Sequence, residues 1–310
     1  MDIRWIAIAG MLVSAGCVSR VIELSPGTDG EAGGEADVDV GDDEPAVSAD
    51  GAQLPDSCDL SSHDTDCDGD GIPDADDPVP GDPDGPGPAR ADVIYVNTPD
   101  SLYMFDPKTL AFEAVGPFVL NGIPLNAVVD IAIDRFGLLY ALTSSSLYAC
   151  DPTTVACWYV ADTTANSAGF VPAGVADPID DVLVVVEGST VVQIALRGNS
   201  AERIEIGSLG GYSSSGDVAH LADGRTLLTS PSAGDNIVIA FDPATANVLE
   251  VVGTVAGSTA AWGLASFDGR VFVFDDSGSI FEFDPTTAAT TALPNTGAQL
   301  WGAASHPAAG

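Results

Sequence analysis

The sequence predicts an all-β repeat fold for residues 91–310. An Asp-Pro-x-Thr turn recurs at Asp106, Asp151, Asp242 and Asp284. The intervals are 45, 91 and 42 residues, so the middle one predicts a degenerate copy near residue 196. Short alternating strands separate these turns. Four strands repeated roughly every 45 residues are typical of the blades of a β-propeller, and we expect five blades.

The strands of one unit are clearest between residues 130 and 160. They are expected at Asp130–Ile133, Leu138–Leu142, Ser146–Cys150 and Ala156–Val160. The turn chemistry fits the last connection, because Asp initiates a turn, Pro presets φ for the next position, and Thr returns the chain to a strand. The third unit, at Val191–Gly198, lacks this turn but is strand-like on both sides.

The first unit, residues 92–106, lacks an inner strand. A matching strand lies at the other end of the chain, where Trp301–Ser305 aligns with Trp262–Ser266 of the fifth unit. We expect the C-terminal strand to complete the first blade and close the ring, because closure removes exposed sheet edges.

The first residues are typical of an export signal. Arg4 precedes an apolar stretch from Trp5 to Val13, which is too short to span a membrane. The segment Ser14-Ala15-Gly16-Cys17 resembles a bacterial lipobox, with Ser14 where Leu is usual. The resemblance implies lipidation of Cys17 and, with Val18 next, an outer-membrane lipoprotein. An ordinary signal peptide with an incidental cysteine is the alternative.

The charge balance excludes one class of partner. The chain has 46 Asp and Glu against 9 Lys and Arg, for a net charge of −37, so no basic surface exists to bind nucleic acid. Residues 20–90 hold 21 acids and two bases and cannot form a conventional core. We therefore divide the chain into a signal peptide (1–16), a lipidated flexible tether (17–57), a calcium loop with linker (58–90) and the propeller (91–310).

The five cysteines suit an exported protein. With Cys17 lipidated, the rest form two local pairs, Cys58 with Cys67 and Cys150 with Cys157. The second pair flanks a turn between two strands, where a cross-strand disulfide is geometrically reasonable. Free buried thiols are the alternative.

Residues 66–77 carry acids at the spacing of a calcium loop. The expected ligands, at positions 1, 3, 5, 7, 9 and 12 of the loop, are Asp66, Asp68, Asp70, the carbonyl of Ile72, Asp74 and Asp77. Gly71 at position 6 would permit the sharp turn. No amphipathic helices flank the loop. The stretch Asp68–Pro78 resembles a single thrombospondin type 3 repeat, which implies bound calcium; a solvated acidic linker is the alternative.

Four propeller residues are candidates for ligand binding. Alignment of the inner strands places Asp130 and Asp217 at one position, with Trp262 and Trp301 one residue earlier. By resemblance to propeller architecture, this position lies near the mouth of the central channel, where acids could hold a cation and tryptophans could stack on a sugar. The alternative is structural: the acids cap turns and the tryptophans wedge between blades.

Three functions fit these residues. The leading one is an envelope-anchored calcium-binding lipoprotein whose propeller binds a protein or glycan without catalysis. The second is an exported hydrolase or lyase with a channel-mouth site, and the third is a purely structural envelope protein. The sequence has no Gly-x-Ser-x-Gly and no His-Glu-x-x-His, so no catalytic motif decides between them.

Overall fold

The computed structural model describes residues 62, 64–70, 72–77, 79–81, 83, 85–197 and 200–309, with only the backbone at residues 197 and 200. The strands in chain order are β1 (Ile94–Asn97), β2 (Ser101–Phe105), β3 (Phe112–Pro117), β4 (Val119–Leu120), β5 (Ile123–Pro124), β6 (Val128–Ile133), β7 (Leu139–Thr143), β8 (Ser146–Cys150), β9 (Ala156–Asp162), β10 (Ala168–Val171), β11 (Val182–Glu187), β12 (Thr190–Arg197), β13 (Ser200–Ser208), β14 (Val218–His220), β15 (Thr226–Ser230), β16 (Ile237–Phe241), β17 (Val248–Thr254), β18 (Ala261–Phe267), β19 (Arg270–Asp275), β20 (Ile280–Phe283), β21 (Thr290–Ala292) and β22 (Gly302–Ser305). A short 3-10 helix, Pro307–Ala309, follows. No helix in the described ranges is long and apolar enough to cross a membrane.

These strands form five antiparallel four-stranded blades in a ring, as the repeat predicts. From the inner strand outward, blade 1 is β22-β1-β2-β3 and blade 2 is β6 to β9. Blades 3, 4 and 5 are β10 to β13, β14 to β17 and β18 to β21. The degenerate unit is therefore a complete blade. One addition is not predicted: the hairpin β4-β5 extends blade 2, with β4 parallel to β9.

The C-terminal strand closes the ring. β22 pairs antiparallel with β1, with Ser305 opposite Ile94 and Gly302 opposite Asn97. This confirms that the missing inner strand of the first unit comes from the end of the chain. β22 is therefore the inner strand of blade 1.

The four Asp-Pro-x-Thr turns share one set of hydrogen bonds. In the first, Asp106 Oδ1 accepts from the Lys108 N–H at 2.8 Å and Oδ2 accepts from the Thr109 hydroxyl at 2.7 Å. The turns beginning at Asp151, Asp242 and Asp284 repeat this pattern of a backbone N–H and a threonine hydroxyl bound to the aspartate. The residue after each threonine has positive φ: Leu110, Val155, Ala246 and Ala288.

The core lies between neighbouring blades. Phe105 of blade 1 meets Phe272 and Phe274 of blade 5 edge to face, with ring centroids 5.7 and 5.8 Å apart. In blade 2, Cys150 and Cys157 are opposite each other on β8 and β9 and form the expected disulfide. Cys58, of the other expected pair, and Cys17 lie outside the described residues.

Candidate metal site and central channel

Three carboxylates of the acidic loop converge. One oxygen from each of Asp66, Asp68 and Asp70 lies within 4.8 Å of the others. Each side chain is held by a local backbone N–H: Gly69 donates to Asp66 at 2.7 Å, Asp70 to Asp68 at 3.2 Å, and Ile72 to Asp70 at 2.7 Å. These short-range bonds fix the three carboxylates on one loop, as the alternating acid spacing predicts.

Asp77, the last expected ligand, lies outside this converging group and has an unusual carboxyl. Its residue is 1% exposed, Oδ1 accepts from the Val79 N–H at 2.7 Å, and Oδ2 is buried without a hydrogen-bond partner. Burial, together with the nearby charges of Asp70 and Asp68, raises the pKa of the Asp77 carboxyl to about 7. Oδ2 of Asp68 is likewise buried without a partner. Buried carboxylate oxygens are costly unless something compensates them, and a cation suits both.

The remaining expected ligands have other contacts as well. Asp74 is 1% exposed, and its Oδ1 accepts from the Cys67 N–H at 2.9 Å. The Ile72 side chain is buried and belongs to the hydrophobic cluster between blades 2 and 3, which includes Leu138, Tyr140 and Leu183. Gly71 lies outside the described residues. The loop thus combines an acidic cluster with an apolar anchor in the propeller.

An ion-pair cluster joins the loop to the propeller. Arg135 follows β6, and its guanidinium lies 3.6 Å from the Asp76 carboxylate of the loop. The same guanidinium lies 2.8 Å from Asp181 and 3.8 Å from Asp180, both before β11. One arginine therefore connects the loop with blades 2 and 3.

Asp130 and Asp217 lie at equivalent entries to inner strands, as the alignment predicts, but both are 0% exposed. Asp130 accepts from the N–H groups of Ile131 and Ala168 at 2.9 and 2.7 Å. Asp217 accepts from Val218, Leu264 and Ala303 at 2.6, 2.8 and 2.9 Å. Both carboxylates therefore accept hydrogen bonds from backbone N–H groups, and neither is exposed to solvent.

Burial dominates the electrostatics of this pair. It raises the pKa of both carboxyls, and the charge of Asp217 raises that of Asp130 further. Five N–H donors stabilise the carboxylates, yet two buried acids in one channel still repel each other. This buried environment is typical of carboxylates with a structural role and not of a ligand site that is open to solvent.

Trp262 and Trp301 are half-buried neighbours, each one residue before the position aligned with Asp217 in its own strand. Their rings meet edge to face, with centroids 5.6 Å apart. The Trp301 indole N–H donates to Asp276 at 3.3 Å. The structure therefore brings the two tryptophans together, and their role in ligand binding stays a prediction.

A cavity of about 490 Å³ occupies the channel beyond the acid pair. It is lined by all five inner strands, and its polar lining residues are Arg135, Asp181, His220, Ser266 and Ser305. These residues are not among the candidates predicted from the sequence. His220 lies three positions after Asp217. Ser266 and Ser305 lie three positions after the residues that align with Asp217 in their own strands. The same alignment of the inner strands could therefore have identified these three polar residues as neighbours.

Comparison with known proteins bears on the fold alone. No family model matches the chain, and no curated protein matches it either. Among solved structures it resembles a nidogen/laminin complex, at 14% identity and a TM-score of 0.44, over 70% of this chain and 81% of that one. TolB from Acinetobacter baumannii has 16% identity and a TM-score of 0.41, over 69% and 54%. A Kuenenia stuttgartiensis hydrazine synthase has 14% and 0.37, over 66% and 63%.

Proposed function

We propose that this chain is an exported, lipid-anchored protein of the cell envelope. In this proposal its 66–77 loop binds one calcium ion, and its propeller is a non-catalytic binding module. The observation that carries the calcium site is the convergence of Asp66, Asp68 and Asp70; the buried, unpartnered Oδ2 of Asp77, whose pKa the charges of Asp70 and Asp68 raise, supports it.

Calcium suits this donor set better than other ions. It takes six to eight oxygen ligands in irregular geometry, and carboxylates and backbone carbonyls are its usual donors. Asp66, Asp68, Asp70 and Asp77 would supply carboxylate oxygens, with the Ile72 carbonyl and Asp74 completing the loop. Magnesium demands a stricter octahedron and keeps several waters, which suits buried oxygens such as those of Asp68 and Asp77 less well.

The role of the ion would be structural. Ile72, between two of the expected ligands, is anchored in the core between blades 2 and 3, and Asp76 lies beside Arg135. An ion that orders the loop would therefore also hold it on the propeller. Binding to the folded state alone stabilises that state by mass action.

The inner acids favour a binding module over an enzyme. A catalytic carboxylate must reach a substrate, whereas the oxygens of Asp130 and Asp217 are buried and engaged by backbone N–H groups. The partially exposed tryptophan pair and the central cavity remain available for a ligand.

Export and anchoring rest mainly on the leader. The apolar stretch before Cys17 and the likeness of residues 14–17 to a lipobox support lipidation, and Val18 supports sorting to the outer membrane. The Cys150–Cys157 disulfide adds support, because such bonds persist in oxidising compartments. A membrane fraction that carries the chain, and loses it with Cys17→Ser, is the expected result of cell fractionation.

Calorimetric titration of the full chain with calcium tests the site. Cys17→Ser removes the lipid, so the protein can be handled without detergent. We expect saturation at one ion per chain, loss of binding in Asp70→Ala, and normal binding in Asp64→Asn. Asp64 is the matched control because it is exposed and close to the loop but outside the converging group. Equal titrations of the two variants would contradict the site.

A further inference from the structure

The central cavity has the dimensions of a small-molecule site. Its volume is about 490 Å³, within the range of roughly 300–1,000 Å³ for ligand pockets in general. It lies on the far side of the acid pair from the two tryptophans, toward the ends of the inner strands. The position predicted from Asp130 and Asp217 is therefore buried, and the cavity lies beyond it along the inner strands.

Most of the cavity lining is apolar and contributed by repeat-equivalent positions. Small residues lie at one position in every inner strand: Ala132, Gly169, Ala219, Ala265 and Ala304. Larger apolar side chains, including Phe170 and Leu221, also line it. Such a lining favours a hydrocarbon body, because its transfer from water is favourable and no polar group of the ligand is stranded.

The charged groups of the lining are already paired with each other. The Arg135 guanidinium lies 2.8 Å from Asp181 Oδ1, and the Arg135 backbone N–H donates to Oδ2 at 3.1 Å. A carboxylate ligand would compete with Asp181 for the arginine, and the chain carries a net charge of −37 that opposes it. An ammonium ligand would compete with Arg135 for Asp181. The described lining residues therefore offer no unpaired charge to an anionic or a cationic ligand.

The neutral polar groups of the lining are three. The Ser266 hydroxyl donates to the His220 carbonyl at 3.1 Å, and the Ser305 hydroxyl donates to the Ser266 carbonyl at 2.5 Å. Each hydroxyl keeps lone pairs that can accept another hydrogen bond. His220 Nδ1 lies 3.0 Å from the Thr226 hydroxyl, and burial lowers the histidine pKa, which favours the neutral ring.

We infer that the central cavity binds a small neutral amphiphile, with its hydrocarbon body between the inner strands and an alcohol head beside His220, Ser266 and Ser305. An alcohol fits because it can donate to a serine oxygen and also accept. This inference rests on the proposed role of the propeller as a binding module, and it is independent of the calcium site.

Three probes of one chain length and different charge test it. We would titrate the full chain carrying Cys17→Ser with 1-octanol, octanoate and octylammonium, and follow the heat. Removing the lipid prevents the anchor from competing for the cavity. We expect 1-octanol to saturate at one per chain and the two ions to bind at least about tenfold more weakly. No saturable octanol binding, or an ion that binds as tightly, would overturn the inference.

Variants locate the bound probe. Ala219→Leu and Ala265→Leu fill part of the cavity and should weaken octanol binding about tenfold or more. Ala244→Leu, at an exposed position in an Asp-Pro turn, should leave it unchanged. If the leucine variants do not fold, Ser305→Cys gives a second measurement. Octanol at ten times its Kd should slow alkylation of this thiol about tenfold, and an unchanged rate would overturn the location.

Repeating the octanol titration with Asp70→Ala separates the two proposals. Octanol binding that survives in this variant supports a cavity site that needs no calcium. Absence of octanol binding in a chain that still titrates with calcium would overturn the cavity site alone. A chain that binds octanol but no calcium would retain the cavity site and lose the calcium site.

Discussion

Asp130 and Asp217 together accept a backbone N–H from each of the five inner strands. The five donors occupy one equivalent position around the ring, and the bonds measure between 2.6 and 2.9 Å. The inner edge of an inner strand has no neighbouring strand, so its N–H groups need another acceptor. The carboxylates of Asp130 and Asp217 supply one such acceptor to each of the five inner strands.

Replacement of Asp217 should therefore destabilise the propeller. Asp217→Ala leaves three buried N–H groups without an acceptor, at about 1–3 kcal/mol each, so we expect a loss of about 3 kcal/mol or more in the free energy of unfolding. Urea denaturation measures it, and Asp268→Asn at an exposed hairpin turn is the control. A catalytic Asp217 predicts the opposite pattern, lost turnover at an unchanged melting temperature.

Gly302 makes room for this arrangement. A Cβ added at Gly302 would overlap Asp130 Oδ1 and lie 2.6 Å from Asn97 Oδ1. Gly302→Ala must therefore displace a buried carboxylate or the closing strand, and we expect a loss of about 1–3 kcal/mol, as for overpacked cores. Gly211→Ala, with nothing within 4 Å of the added Cβ, is the matched control. Equal denaturation midpoints for the two variants would refute the explanation.

Asp134 should make stability depend on pH. Burial raises the pKa of its carboxyl to about 7 from an ordinary value of 3.8, and the charges of Asp181 and Asp76 add to the effect. Between these values the folded chain holds a proton that the unfolded chain releases. The free energy of unfolding should therefore fall as pH rises through this window, by at most about 1.4 kcal/mol per pH unit from this group.

Asp134→Asn tests this dependence. Its amide oxygen can still accept from the N–H groups of Phe136 and Leu138, which both bind Oδ1 of the aspartate at 2.9 Å. We expect a flatter profile of unfolding free energy from pH 5 to 8, measured in urea with EDTA present. Parallel profiles for the two proteins would show that Asp134 does not titrate in this range.

Much of the fold follows from local sequence chemistry. The Asp-Pro-x-Thr turns mark the blades because their hydrogen bonds lie within four residues, and closure by β22 follows from the likeness of Trp301–Ser305 to Trp262–Ser266. The Cys150–Cys157 disulfide follows from its short turn. The β4-β5 hairpin escaped prediction because each of its strands is two residues long and pairs outside the repeat.

The site was harder to predict because its determinants are not local. The alignment places Asp130 and Asp217 together, but it cannot show that N–H groups from three other blades converge on them. The cavity depends in the same way on how five strands meet. The acid spacing of the loop predicted the convergence of Asp66, Asp68 and Asp70, whereas the burial of Asp77 depends on packing against the rest of the chain.

Thermal unfolding against free calcium is the most direct test of the calcium site, in the full chain with Cys17→Ser and in Asp77→Asn. At a hundredfold excess over Kd, one ion should add about 2.7 kcal/mol, or roughly 5 °C in Tm. Asp77→Asn removes a buried carboxyl whose ionisation is costly, so in EDTA its Tm should equal or exceed that of the parent, and calcium should barely raise it. A parent Tm that is identical in EDTA and in excess calcium would show that the loop holds no stabilising ion.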